Sequence, residues 1–181
     1  MSNYERIDPL WDSGNFIFMT GVDDASCEAA MRFIAYHNMK ESPLERLTLI
    51  INSPGGSVSA AFALIDMMMT SSIPVDTLAT GQIASCGVLL TMSGARRTMT
   101  ETCMAMSHTY SWGASGKHND LVASRKAQDM TIELLVKHYM KCTKKSRKFI
   151  LKNLLPHEDV WLSAEESVKM GIVDSVREIY K

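Results

Sequence analysis

The sequence predicts an α/β fold in which mostly parallel strands alternate with helices, and three observations support that prediction. Short apolar runs, typical of strands buried on both faces, recur along the 181 residues. Segments with helical periodicity separate these runs, and strands joined by helices pair in parallel through right-handed crossovers. No internal repeat or low-complexity linker interrupts the pattern, so residues 1–181 are predicted to form one domain.

In the first half of the chain, each predicted strand is followed by a predicted helix. Strands are expected at residues 15–19, 47–51 and 75–79, and helices at about residues 26–37, 57–70 and 85–92. Asp23 or Asp24 is the predicted N-cap of the first helix, because a carboxylate there accepts hydrogen bonds from the first turn. The predicted core stripe of that helix is Ala29, Phe33 and either Tyr36 or Ile34. The predicted core residues of the second helix are Ala60, Ala61, Leu64, Ile65 and Met68.

The second half of the chain is richer in predicted helix. Strands are expected near residues 97–99, 103–106 and 172–176, and helices at about residues 119–141 and 144–153. The long helix is expected to bury a stripe made of Ala127, Met130, Leu134 and Leu135. Ser163 and Glu166 form a capping box, which begins a short helix that Gly171 ends.

Composition limits the classes of function that the chain can serve. The content of 46% apolar and 22% charged residues is that of an ordinary globular protein, and a net charge of −1 argues against a dedicated nucleic-acid binder. No segment approaches the ~18 apolar residues of a membrane span, so no membrane association is expected. The four cysteines have neither disulfide nor metal-ligand spacing, which indicates reduced thiols, a cytoplasmic location and no bound metal.

The most informative segment is Gly81–Gly87, which places Ser85 among small residues where a strand turns into a helix. A hydroxyl at the start of a helix lies beside free backbone N–H groups, at the positive end of the helix dipole. Acyl transfer uses such donors, because negative charge develops on the carbonyl oxygen under attack. Upstream, Ile51–Ser57 is a strand end that runs into a glycine turn, which can supply a second donor.

A serine nucleophile needs a base, and an imidazole oriented by a carboxylate is the usual solution. Three of the five histidines are interpreted as solvated surface side chains: His37, His118 and His138. His108 is a candidate base, because it follows an apolar strand at its carboxyl end, where reacting groups converge in α/β sheets. Glu158 and Asp159 lie in an acidic turn that is equally compatible with a solvated surface and with a catalytic carboxylate.

Four segments closely resemble the signature regions of the ClpP family, the proteolytic subunits of the Clp protease, in the family's order and with nearly its spacing. They are Ile51–Val58, Gly81–Gly87, Met106–His108 and Asp159–Ala164. The resemblance covers about residues 15–176, and the family's N-terminal gating segment has no recognisable counterpart before Asn15. It implies a ClpP/crotonase-like fold of repeated β-β-α units with a protruding handle.

The same resemblance implies a role for each matching residue. Ser85 corresponds to the nucleophile of a serine endopeptidase, His108 to its general base and acid, and Asp159 to the carboxylate that orients the imidazole. The backbone N–H groups of Gly56 and Cys86 correspond to the oxyanion hole. The implied reaction is hydrolysis of peptide bonds in unfolded proteins and peptides through an acyl-enzyme.

Further expectations concern substrate, assembly and partners. Ser57 and Val58 match the segment along which extended substrate peptides lie. The handle, a strand at Tyr110–Gly116 plus the long helix, is expected over about residues 109–153, and the head over about residues 15–108 and 154–181. The resemblance implies a homo-oligomer of two stacked heptameric rings around a chamber. No cofactor is expected, since ATP would be used only by a separate AAA+ unfoldase.

Two alternatives from other classes stay open on the sequence. A catalytically silent ring or scaffold subunit would keep the fold, although serine, histidine and aspartate at all three matching positions argue against it. A crotonase-type acyl-CoA enzyme would share the superfold and its paired N–H donors. Such enzymes rely on glutamates, however, and none occupies the matching position beside Ser85.

Overall fold

The computed structural model describes residues 9–109, 111, 113 and 115–180, and within them seven strands form one sheet. The strands are β1 (Asn15–Met19), β2 (Leu47–Ser53), β3 (Val75–Ala84), β4 (Arg97–Thr100), β5 (Met104–Ser107), β6 (Val160–Leu162) and β7 (Ser175–Arg177). Neighbours follow the order β1-β2-β3-β4-β7, and all of these pairs are parallel. The predicted α/β class is therefore confirmed.

The helices begin and end largely where the caps predict. They are α1 (Pro9–Asp12), α2 (Asp24–Asn38), α3 (Val58–Thr70), α4 (Cys86–Met92), α5 (His118–Thr143), α6 (Arg147–Asn153) and α7 (Ala164–Met170). Asp23, rather than Asp24, caps α2 by accepting from the Ser26 N–H. The Ser163–Glu166 capping box and the left-handed Gly171 bound α7 as predicted. None of the helices described is long and apolar enough to cross a membrane.

Strand β3 is twice as long as predicted and has two partners on the same side, which positions the candidate site. Its first half pairs with β4 through Thr77–Ala79, and its second half pairs with β5 through Gln82–Ala84. Strand β5 then pairs on its other side with β6, in the antiparallel direction. Because parallel strands end at one edge of a sheet, the ends of β3 and β5 lie side by side.

The core packs helices against the sheet, and the predicted stripe of α3 is buried as expected. The residues that α2 buries differ from its predicted core stripe. Its buried residues are Cys27, Ala30, Phe33, Ile34 and His37. Ala29 and Tyr36 are only half-buried, because the buried face is rotated by about one residue towards α1.

The interpretation of His37 as a solvated side chain is wrong, because its ring is fully buried. Its Nε2 lies 2.7 Å from the carbonyl oxygen of Trp11 in α1, and the ring packs edge-on against Phe33. Burial lowers the pKa of His37, because a charged imidazole loses its hydration there.

Helix α5 also buries a different stripe from the one predicted. Leu135 is buried as expected, but Met130 and Leu134 are 60% and 53% exposed. His138, interpreted from the sequence as solvated, is buried, and its Nε2 lies 3.1 Å from the Ser93 hydroxyl. His118 is exposed, as predicted.

Two boundaries in the C-terminal part differ from the prediction for local reasons. Helix α6 begins at Arg147 instead of Lys144, because Lys144 adopts a left-handed backbone that ends α5 and Ser146 caps the next helix. Strand β7 begins at Ser175, because the backbone N–H groups of Ile172 and Val173 bond to the Ser167 carbonyl instead of to a strand. The strand predicted at Tyr110–Gly116 includes Tyr110, Trp112 and Ala114, which lie outside the described residues.

Candidate active site

Ser85 occupies the turn between β3 and α4, in a backbone conformation that serine rarely adopts. Its φ of 51° and ψ of −117° are those of a sharp strand-to-helix turn, which projects the side chain away from both elements. The turn is held by a hydrogen bond of 2.8 Å from the Ser85 N–H to the Met106 carbonyl of β5. A strained residue fixed in this way is typical of a functional site.

The glycine turn after β2 packs directly beneath Ser85. A Cβ on Gly55 would lie 2.6 Å from the Ser85 Cβ and 2.7 Å from the Ala84 carbonyl oxygen. A Cβ on Gly56 would lie 2.2 Å from the carbonyl oxygen of Val22. Both positions also have positive φ angles, so glycine is required at each by conformation and by space.

Ser85 and His108 line one pocket of about 260 Å³ at the edge of the sheet where β3 and β5 end. Both side chains are half-buried, so each is accessible from the pocket. The structure therefore brings the predicted nucleophile and the predicted base to the same cavity. Within the described residues, however, no hydrogen bond joins the Ser85 hydroxyl to the His108 ring.

Asp159 is exposed and directly precedes β6. Strand β6 pairs with β5 so that Ser107 faces Val160 and Met106 faces Trp161. Extending this antiparallel register by one residue sets Asp159 opposite His108. Asp159 does not line the pocket, and among the hydrogen bonds of the described chain none links its carboxylate to His108.

The two backbone groups predicted to stabilise an oxyanion belong to residues that line the same pocket, Gly56 and Cys86. Cys86 is the first residue of α4, where helical N–H groups lack an intrahelical partner. Neither N–H donates to an acceptor within the described residues. Both donors are therefore available to a ligand in the pocket.

The environment of the Cys86 thiol makes it unreactive. It is buried and lies 3.2 Å from the Gly56 carbonyl oxygen, to which it donates. Burial raises the pKa of this thiol, which keeps it protonated and therefore a poor nucleophile. All four cysteines of the described chain are free.

Ser57 and Val58 follow the glycine turn and begin α3. The Ser57 side chain caps α3 by accepting from the Ala60 N–H at 3.3 Å, and its own N–H donates to the Val22 carbonyl. Val58 lines the pocket that contains Ser85, and both residues line a second pocket between α3 and α5. The predicted substrate-binding segment thus borders the candidate active site.

Sequence reasoning missed the far wall of the pocket, which comes from the helical C-terminal part. Leu135 and Tyr139 of α5 and Leu155 after α6 line the same pocket as Ser85 and Leu89. Helical periodicity predicts that Leu135 is buried, but no pattern in the sequence predicts that α5 packs beside the end of β5. No group of three or more His, Cys, Asp or Glu side chains among the described residues could hold a metal ion.

The fold and this pocket can be compared with known proteins. Residues 2–179 match the sequence model of one family, whose description is Clp protease. The chain therefore belongs to the Clp protease family. The match begins at residue 2, so the expectation that the likeness starts only near Asn15 is wrong.

Several curated relatives are similar to the chain over most of its length. It is 33% identical over 171 residues to the ATP-dependent Clp protease proteolytic subunit 1 of Chlamydia muridarum, covering 92% of this chain and 88% of the relative. The subunit of the same name from Chlamydia trachomatis serovar D is 32% identical with the same coverage. That from Protochlamydia amoebophila is 31% identical over 92% of this chain and 82% of its own length.

Proposed function

We propose that the protein is a serine endopeptidase that hydrolyses peptide bonds of unfolded polypeptides. The observation that carries this proposal is the strained turn that holds Ser85 in a pocket shared with His108 and two unpaired backbone N–H groups. Family membership supports the same reading, since the matched family is described as Clp protease. Membership of this family also favours a peptidase over an acyl-CoA enzyme.

In the proposed reaction, the Ser85 hydroxyl oxygen attacks the scissile carbonyl carbon while His108 accepts the hydroxyl proton. The negative charge that forms on the carbonyl oxygen is stabilised by the N–H groups of Gly56 and Cys86. His108 then donates its proton to the leaving amine, and an acyl-enzyme remains on Ser85. Water cleaves this ester in a second cycle that uses the same base.

Asp159 is proposed to orient the His108 ring and to stabilise its protonated form. The β5–β6 register supports this role, because it sets the two residues opposite each other at the end of the ladder. The hydrogen bond between them is proposed to form when substrate binds, since catalytic hydrogen bonds often tighten only at that stage.

The pocket also supports a substrate class. Its walls are mainly apolar, with Leu89, Leu135 and Leu155 around the candidate nucleophile, so an apolar side chain beside the scissile bond is expected to bind there. An extended peptide is proposed to lie along Ser57 and Val58, held by main-chain hydrogen bonds, which tolerate many sequences. The Ser57 N–H does not take part, because it already donates to the Val22 carbonyl. No cofactor or metal takes part in the proposed reaction.

We also propose an assembly. The chain would be a single domain, with a head over about residues 15–108 and 154–181 and a handle over about residues 109–153. Copies of it would form two stacked heptameric rings around a chamber, which a separate AAA+ unfoldase supplies with substrate. Relatives named ATP-dependent Clp protease proteolytic subunit 1 support a role as one subunit of an assembly that uses ATP, and the four free thiols support a cytoplasmic location.

The direct test is Ser85→Ala. It is expected to lower the hydrolysis rate of an unfolded fluorogenic protein by ~10⁴-fold or more, because loss of the nucleophile removes the covalent route. Ser175→Ala changes an exposed serine that does not line the pocket, and it should keep the parent rate. A Ser85→Ala protein that cleaves as fast as the parent would show that the proposal is wrong.

A fluorophosphonate probe separates the peptidase from a silent ring subunit. An activated serine attacks the probe at phosphorus and expels fluoride, so the parent should carry one covalent adduct at Ser85 by mass spectrometry. A silent subunit needs no activated serine, and absence of labelling together with absence of hydrolysis would favour it.

A further inference from the structure

Two hydroxyl groups are buried beside the candidate active site. Ser107 is the last residue of β5 and is fully buried, and Tyr139 of α5 is 2% exposed. Their hydroxyl oxygens lie 2.8 Å apart, and the Ser107 hydroxyl also bonds to the carbonyl oxygen of Leu154. Tyr139 lines the pocket that contains Ser85 and His108.

The direction of these two hydrogen bonds follows from the number of protons available. A carbonyl oxygen only accepts, so Ser107 donates its single proton to Leu154. The Tyr139 hydroxyl must therefore be the donor to the Ser107 oxygen. Burial raises the pKa of the Tyr139 phenol, so it keeps this proton at any ordinary pH.

These two hydrogen bonds connect β5, helix α5 and the end of helix α6. Two of the three connected points lie next to the segments that carry His108 and Asp159. Ser107 directly precedes His108 in the sequence. Leu154 is the C-cap of α6 and begins the segment that leads to Asp159 and β6. Tyr139 anchors both segments to α5, whose buried face belongs to the core.

Packing alone does not account for these hydroxyls. An alanine or valine would fill a fully buried strand position without any polar group to satisfy, whereas a buried hydroxyl must be hydrogen-bonded to offset its lost hydration. Both hydroxyl protons have an acceptor, because Tyr139 donates to Ser107 and Ser107 donates to the Leu154 carbonyl. A fully satisfied buried network fixes one arrangement of the elements that it joins.

We propose that Ser107 and Tyr139 are positioning residues, which hold the end of β5 and the start of the Leu154–Asp159 segment so that His108 and Asp159 meet beside Ser85. The proposal deepens the proposed peptidase function and rests on it. Neither hydroxyl touches the reacting atoms; each acts through the backbone of the segment that it fixes.

The test compares Ser107→Ala, Tyr139→Phe and the double variant with the parent. Each single change keeps the shape of the wall. Tyr139→Phe removes the hydrogen bond to Ser107, whereas Ser107→Ala removes both hydrogen bonds of the chain. Each is expected to lower kcat for a fluorogenic peptide by about tenfold to a hundredfold, because misplacement of a base by an ångström costs that much. KM should change by less than about twofold, since the pocket wall remains. The rate of fluorophosphonate labelling of Ser85 should fall in parallel with kcat.

Ser167→Ala is the matched control for stability. Ser167 is also fully buried, and its hydroxyl donates to the Ser163 carbonyl at 2.7 Å, but it does not line the pocket. It should lower the melting temperature about as much as Ser107→Ala does and leave kcat and labelling unchanged. All rates are measured well below the melting temperature of each variant.

The double variant tests whether the two hydroxyls act as one chain. Its loss of kcat should be no larger than that of the more damaged single variant, because either change already breaks the connection. The inference is overturned if Ser107→Ala and Tyr139→Phe keep the parent kcat, or if their effects multiply. If the parent itself neither hydrolyses nor labels, it is the proposed peptidase function that fails.

Discussion

At the scale of single residues, the conformation of Ser85 is the feature on which the candidate site depends. A non-glycine residue with φ of 51° and ψ of −117° costs on the order of 1–3 kcal/mol, which the surrounding contacts must offset. The bond from the Ser85 N–H to the Met106 carbonyl and the close packing of Gly55 hold it there. The backbone that carries the Ser85 hydroxyl is therefore fixed before any substrate arrives.

The prediction at this scale concerns Gly55→Ala. The added methyl would meet the Ser85 Cβ at 2.6 Å with φ at +93°, so the turn must move. We expect the free energy of unfolding to fall by about 1–3 kcal/mol and fluorophosphonate labelling of Ser85 to be lost. Gly21→Ala is the matched control, because its nearest neighbour would be the Gly55 oxygen at 3.7 Å. Undiminished labelling of the Gly55→Ala protein would contradict the dependence of Ser85 on this packing.

Residue chemistry explains what the sequence can and cannot predict about the site. Local patterns identify Ser85 at a strand-to-helix turn and a glycine turn that can supply a donor, and the family resemblance adds Gly56 and Cys86, which line the same pocket as Ser85. The environment of His37 was not, because its partner Trp11 is 26 residues away in the sequence. Asp159 is set opposite His108 by the register of a three-residue strand, too short to give a periodic signal.

At the scale of elements, α1 is attached to α2 through His37. The ring donates from Nε2 to the Trp11 carbonyl, and its Nδ1 is buried without a partner among the described residues. A second proton on Nδ1 would have no acceptor. Asp12 and Lys40 are the charged groups nearby, and their effects on the pKa of His37 oppose each other and are smaller than that of burial.

This attachment predicts a pH dependence of stability. The pKa of His37 in the native protein lies below its ordinary value of 6.5, which applies to the unfolded chain. In the pH interval between these two pKa values, the unfolded chain therefore binds more protons than the native one. Stability should therefore rise with pH through the interval and fall as the pH drops below about 6.5. In His37→Gln, whose amide can donate to Trp11 without titrating, the melting temperature should change less between pH 7.5 and 5.5.

His118→Gln is the control for that measurement, because His118 is exposed. The buried His138, whose pKa burial also lowers, titrates in all three proteins and cancels in the comparison. Equal pH dependence in the His37→Gln variant and the parent would show that the attachment of α1 does not depend on a neutral His37.

At the scale of the whole molecule, helix α5 leaves apolar side chains in solvent. Val122, Met130 and Leu134 are all more than half exposed on this 26-residue helix. An apolar stripe of this kind indicates a surface that a partner covers. In the proposed assembly, the partner is the same helix of the opposite ring.

The corresponding prediction concerns the mass in solution. Fourteen copies of the 20.1 kDa chain would give about 14 × 20.1 ≈ 280 kDa, and one ring half of that. Met130→Glu combined with Leu134→Glu should shift the mass from the larger to the smaller value, because charges would face each other across the contact. Leu151→Glu changes an exposed leucine of α6 outside the stripe and should keep the parent mass. A parent mass of 20 kDa would contradict the chamber.

The two partners of β3 on the same side, β4 and β5, divide the proposed catalytic residues between two parts of the sheet. Ser85, Gly56 and Cys86 follow the ends of β2 and β3, whereas His108 and Asp159 lie beside the paired strands β5 and β6. Strand β5 joins β3 through three residue pairs. A shift at those three pairs would move His108 and Asp159 away from Ser85, and the core resists it, because Ala105 of β5 and Leu162 of β6 are buried there. Under the proposed function, proton transfer would therefore depend on a contact of three residue pairs, whatever the stability of the rest of the sheet.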